Sequence, residues 1–202
     1  MSTSDWPNWR SFTIKNRVST RSACPHNKGV PPDGAGGNDT DQKIDKDAIT
    51  TLVMKRVKYL ISANPVKLKS KEQADLKTAK IGYKWLPVDD WHAPNEKQFR
   101  EAHKAYKKHT KGVHFYCGWG NGRTGSYITG IEILEGVYPD HRPNREDYDR
   151  NFVDNDTQRK ALDALWDSWK RQGALEEEGS ELMDEDDLET EFTEDEEQGE
   201  QE

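Results

Sequence analysis

At 202 residues the chain is long enough for one domain with a core of its own, and seven Trp, seven Tyr and five Phe supply the large apolar groups such a core needs. Charge is unevenly placed: 16 of the 38 acidic residues fall in 176–202, which holds no Lys or Arg, leaving 22 acidic against 30 basic residues and about +8 on 1–175 beneath the overall −8. No stretch is apolar enough to span a bilayer, the N-terminus lacks a secretory pattern, and two cysteines cannot build a disulfide framework, which argues against a membrane-spanning protein or a stapled secreted module and for a cytoplasmic or nuclear one.

Residues 1–20 are polar with scattered aromatics, and 29–41, rich in Gly, Pro and Asp, read as loop. Asp47 is placed to cap a helix carrying Ile49, Leu52, Val53 and Met54 on one side. Val57–Ser62 reads as a buried strand, Lys71–Ala79 as a short polar helix, and Gly82–Val88 as a second strand broken by Pro87. Asn95, between Pro94 and Glu96, is an N-cap for a helix with Phe99, Ala102, Ala105 and Tyr106 at helical spacing. Val113–Tyr116 is a third strand, and Tyr127–Leu134 continues helically after a glycine-rich loop. Tyr138–Arg150 reads as a turn region, and Thr157–Lys170 as an amphipathic helix through Leu162, Leu165, Trp166 and Trp169. The pattern predicts an α/β fold, a central, mostly parallel sheet flanked by helices. A domain over 1–175, with its core at 17–172, would precede a disordered acidic tail over 176–202.

The chemistry concentrates at 113–125, Val-His-Phe-Tyr-Cys-Gly-Trp-Gly-Asn-Gly-Arg-Thr-Gly, where Cys117 and Arg123 bracket a glycine-rich strand-to-helix loop. Backbone N–H groups of Gly118, Trp119, Gly120, Asn121, Gly122 and Arg123 can converge on the oxygens of a phosphate, helped by the partial positive charge of a helix N-terminus. Arg123 can clamp two of those oxygens bidentately. The same donors favour a thiolate at Cys117, able to attack in line and form a cysteinyl-phosphate, and the Thr124 hydroxyl is placed to help the sulfur leave.

Cys-x-x-Gly-x-x-Arg-Thr-Gly at 117–125 resembles the signature loop of the cysteine-based protein tyrosine phosphatases, specifically the small dual-specificity group. Leu86-Pro-Val-Asp-Asp-Trp-His-Ala-Pro94 is similar to that family's general-acid loop, Arg21-Ser22-Ala-Cys-Pro25 to its N-terminal Arg-Ser segment, and Tyr59–Ser62 to its first core strand, so that 17–135 is covered with an insert at 29–41. The resemblance implies a phosphatase fold and an Asp that protonates the leaving oxygen and then deprotonates water. Asp90, four positions before Pro94, matches the family spacing, with Asp89 as the fallback. It implies no metal and no organic cofactor. The substrate would be a phosphorylated protein, at phosphotyrosine and in the wider case phosphoserine or phosphothreonine, or a small phosphate ester, with neither nucleic acid nor membrane as partner. The chain departs from the pattern at Tyr116, where the family carries His before the nucleophile.

Other readings are weaker. Gly120-x-Gly122-x-x-Gly125 also fits a dinucleotide fingerprint, but that motif needs a further strand after the helix, and 138–150 offers none. Tyr116 leaves room for a non-catalytic phospho-binding module. A loop without Lys at 118–122 favours a phosphoprotein or aryl phosphate over an inositol phosphate. Cys24 is a small buried residue or a thiol that resolves oxidised Cys117, and the acidic tail is placed by charge to contact the basic body or a basic partner.

Overall fold

The computed structural model describes residues 6–25, 42–109 and 111–186. The expected loop insert at 29–41 and the tail beyond Asp186 lie outside these residues. Contacts divide the chain into two compact units, Met1–Trp166 and Asp167–Glu202, with the boundary inside the last helix.

Five strands form one sheet in the order β1-β2-β5-β3-β4, where β1 is Arg10–Ile14, β2 Arg17–Ala23, β3 Tyr59–Ser62, β4 Gly82–Trp85 and β5 Val113–Cys117. β2, β5, β3 and β4 run parallel, and β1 closes one edge antiparallel to β2. The parallel, helix-flanked sheet agrees with the sequence reading. The β1–β2 hairpin was not expected from the polar N-terminal twenty residues. It turns through Lys15 and Asn16, both at positive φ (44° and 66°), as a two-residue hairpin with the twist of its strands requires.

All five residues of β5 are buried, as befits a central strand covered on both faces. On one face Leu60 and Tyr116 join Trp6, Ala48, Leu52 and Leu76 in a core beneath α1 (Lys46–Met54) and α2 (Ser70–Thr78). The cap of α1 is Asp45, which accepts N–H bonds from Asp47 and Ala48; Asp47 itself lies in the first turn. Only Ala48 and Leu52 of that helix are buried, while Val53 and Met54 are exposed, so the expected apolar side is narrower than its spacing indicated. α3 (Glu96–Lys108), with the expected Asn95 cap, packs on α4 (Gly122–Leu134), and Phe99 meets the Tyr127 ring at 5.9 Å.

The region 138–150, read as a turn, contains α5, Arg145–Asn151, started by Asn144, whose side chain accepts from Glu146 and Asp147 N–H. The polar sequence Arg-Glu-Asp-Tyr-Asp-Arg-Asn hid it, because its stability comes from that cap and from a buried network in which Glu132 of α4 accepts from Tyr138 and Asn151. α6 runs from Asp156 to Asp186, longer at its C-terminal end than the predicted Thr157–Lys170.

The C-terminal ends of the parallel strands share one edge, and the chain returns there to insert β5 between β2 and β3. Ligands of open α/β sheets bind at such a reversal of strand order. Cys117 ends β5 at that point, and β4 leads directly into the Leu86–Pro94 segment.

Candidate active site

β5 delivers Cys117, 2% exposed, to the start of a four-residue loop, and α4 begins at Gly122. The Gly120 N–H donates to the Cys117 sulfur at 3.2 Å. Gly120 has φ +74°, and a Cβ there would overlap the Ser22 carbonyl of β2, so both its backbone angle and its proximity to the neighbouring strand demand glycine.

Every carbonyl of the loop is held from outside. Gly118 C=O accepts from Cys24 N–H at 3.3 Å, Trp119 C=O from Asn8 Nδ2 at 3.4 Å, and Asn121 C=O from Gly125 N–H at 2.7 Å and Arg21 Nη2 at 3.4 Å. Gly120 C=O accepts from both Nε, at 2.8 Å, and Nη2 of Arg21. All four consecutive carbonyls of the loop are thus engaged by donors from outside it, while the Gly120 N–H meets the sulfur. Arg21 also donates through Nη1 to Asn151 C=O of α5 at 2.8 Å and lies under the Phe152 ring. Burial lowers its guanidinium to about 10, against a raising effect of Cys117.

Arg123, 4% exposed, extends across the site. Its Nη1 donates to Val88 C=O at 3.3 Å, and its Nη2 lies 3.1 Å from Asp90 Oδ1. Of the two carboxylates left open by sequence, Asp90 is therefore the one the fold brings to Arg123. Asp89 contributes its carbonyl to a turn closed by His92 N–H at 3.1 Å. Trp91, in that turn, has φ +62° and is 68% exposed, an unusual conformation for a bulky residue. Thr124 is fully buried, and its hydroxyl has no hydrogen-bond partner among the described residues. Trp119 is half-buried at the loop's crest.

The residue before the nucleophile does not face it. Tyr116 alternates to the opposite side of the sheet, where its hydroxyl donates to Gln42 Oε1 at 3.0 Å and its ring meets Trp6 edge-on. Burial holds the phenol neutral, well above its ordinary range. His114 is fixed between the Thr20 hydroxyl (2.8 Å) and the Ser22 hydroxyl (2.9 Å), and burial pushes its imidazole down to about 3. Neither cysteine forms a disulfide, and Cys24 sits in the Tyr116 core.

Sequence reasoning placed the start of α6 within one residue but did not single out the polar residues there. Asp154 Oδ2 accepts the Gly122 N–H at 2.8 Å, Asn155 Nδ2 donates to Trp91 C=O at 3.0 Å, and buried Gln158 donates to His92 C=O at 3.2 Å. Their only local signal was Asn followed three residues later by Gln, a helix-start pattern. Among the described residues no group of three or more His, Cys, Asp or Glu could hold a metal ion. A groove of about 670 Å³ between α1 and α2, lined by Lys43, Lys46, Lys69, Glu72 and Asp75, carries charges of both signs and no cysteine.

A family model described as polymorphic toxin system, DSP-PTPase phosphatase, matches residues 34–137. The chain belongs to that family. No curated protein matches this phosphatase in sequence. Solved structures match its fold: Tk-PTP at 16% identity and TM-score 0.53, over 79% of this chain and 96% of that one; PTPMT1 at 17% and 0.52, over 64% and 88%; and the core catalytic domain of the PP-IP phosphatase Siw14 from S. cerevisiae at 12% and 0.50, over 79% and 88%. These likenesses show a shared fold over a larger share of the chain than the family match covers.

Proposed function

We propose that this phosphatase hydrolyses aryl phosphate esters, phosphotyrosine in a protein foremost, through a cysteinyl-phosphate on Cys117. The observation that carries the reading is the anchoring of all four carbonyls of the loop that follows the buried Cys117, together with the Arg123–Asp90 pair at 3.1 Å. An entering phosphate takes the place of Asp90 on Arg123 and fills the nest formed by the N–H groups of Gly118, Trp119, Gly120, Asn121 and Arg123. The Gly122 N–H contributes if Asp154 yields it. The Cys117 thiolate attacks phosphorus, the ester P–O bond breaks, and protonated Asp90 gives its proton to the leaving phenol oxygen. Asp90, now a carboxylate, takes a proton from a water as that water attacks phosphorus. The S–P bond breaks, and the unsatisfied Thr124 hydroxyl donates to the departing sulfur. No step requires a metal or cofactor.

The absence of Lys within 118–122 and the exposed Trp91 ring next to Asp90 favour an aromatic ester over a polyphosphorylated sugar. Replacing Cys117 by Ser is expected to reduce p-nitrophenyl phosphate hydrolysis by at least about a thousandfold. Undiminished turnover in that variant would end the assignment.

A further inference from the structure

The turn that carries Asp90 is held from outside its own segment. Its first half is bonded by neighbouring elements: Tyr127 hydroxyl donates to Leu86 C=O at 3.0 Å, Gln98 Nε2 to Pro87 C=O at 2.6 Å, and Val88 N–H to Ala63 C=O at 3.1 Å. Its second half contains Trp91 in a left-handed conformation that a bulky side chain adopts only when the surroundings impose it. The surroundings that impose it are two amide side chains at the start of α6. Asn155 caps that helix through Oδ1, which accepts Gln158 N–H at 3.0 Å, while its Nδ2 donates to Trp91 C=O. Gln158 accepts Asp154 N–H through Oε1 at 2.9 Å and donates through Nε2 to His92 C=O. In each side chain the oxygen meets an N–H and the nitrogen a C=O, so both amide orientations are fixed by their partners. The same turn reaches the nucleophile loop, because Asp154 takes the Gly122 N–H and a Cβ on Gly122 would overlap that carboxylate.

We infer that Asn155 and Gln158 are positioning residues that clamp the Asp90 turn shut over the Cys117 loop and set the general acid's place in the transition state. The inference rests on the assignment of Asp90 as the acid. It gives Asp154–Gln158 a role that capping alone would not require: the segment ties the acid and the nucleophile loops to one rigid helix start, so the two move as a unit. A general acid matters most when the leaving oxygen is basic, and little when the phenol is acidic enough to leave as the anion. Loss of the clamp is therefore read in the dependence of rate on leaving group.

The test compares phenyl phosphate with an aryl phosphate of a strongly acidic phenol, using the full chain. Asn155→Thr and Asn155→Asp keep a helix-capping oxygen and remove the donor to Trp91, the first without added charge. Gln158→Met keeps the side-chain volume and removes the donor to His92. Each is expected to lower kcat/KM for phenyl phosphate roughly tenfold while changing kcat/KM for the acidic phenol ester by no more than about twofold, because kcat/KM reports formation of the cysteinyl-phosphate and not its hydrolysis, in which Asp90 serves both esters alike. Asp90→Asn, run alongside, should show the same selectivity in stronger form. If Asp90→Asn is selective and the Asn155 and Gln158 variants lose both substrates equally or neither, the clamp is refuted and the acid assignment stands. If Asp90→Asn is itself unselective, the acid assignment falls and the clamp with it.

Discussion

Arg21 shows how far a single side chain can reach in this site. Its guanidinium holds Gly120 and Asn121 of the nucleophile loop and Asn151 of α5 at once, and none of these partners lies within 95 residues of it. Replacing it by Met removes the side-chain donor from the Gly120 and Asn151 carbonyls, while Asn121 keeps the Gly125 N–H, which should cost about 2 kcal/mol of stability. Since the Gly120 carbonyl would then be free to turn inward, inorganic phosphate should bind at least several-fold more weakly, as read by its inhibition constant. Unchanged phosphate affinity in a folded Arg21→Met variant would show that the loop holds its own conformation. Cys117 and Arg123 could be read from sequence because the loop that joins them is local. Asp90 was separable from Asp89 only by a family spacing; its carboxylate lies against Arg123. Arg21, Asp154, Asn155 and Gln158 could not be read in this way. Each acts on a backbone group 30 or more residues away, and no periodicity records such a contact.

Among the elements, β5, α3 and α4 were legible because burial on two faces or a clear cap wrote itself into their composition. The β1–β2 hairpin was not, since β1 is mostly exposed and its turn is Lys15-Asn16 rather than a glycine turn. The hairpin nevertheless brings Arg21 to the loop and pairs Ala23 with Cys117. Its two left-handed turn residues make a specific prediction. Asn16→Gly, at φ 66°, removes the Cβ strain of that conformation and should raise stability by about 0.5 kcal/mol in urea unfolding. A loss of stability would mean that the Asn16 side chain contributes more than its backbone angle costs. Helix α5 teaches the same lesson from the polar side: its Asn144 cap and the buried Glu132 network replace the apolar stripe that sequence reading looks for.

For the whole molecule, buried titrating groups fix the pH range of stability. His114 is lowered from 6.5 to about 3 by burial, so its contribution is complete above pH 6.5 and is lost as pH falls toward 3. At pH 5 that single group should account for roughly 2 kcal/mol. Tyr106 is raised to about 12, and Tyr116, Tyr127, Tyr138 and Tyr148 also shift upward, all chiefly by burial. Their contribution is complete below pH 10 and declines above it. Unfolding free energy should therefore form a plateau between about pH 6.5 and 10 and fall on both sides. A maximum below pH 5 would contradict the burial of His114.

The most direct measurement of the catalytic proposal is the intact mass of the enzyme quenched in acid during steady turnover of p-nitrophenyl phosphate, with the modified peptide then sequenced. The mechanism predicts a phosphoryl adduct on Cys117 that is absent from the Cys117→Ser protein. Full turnover with no adduct in the wild type, or with an adduct on any other residue, would contradict it.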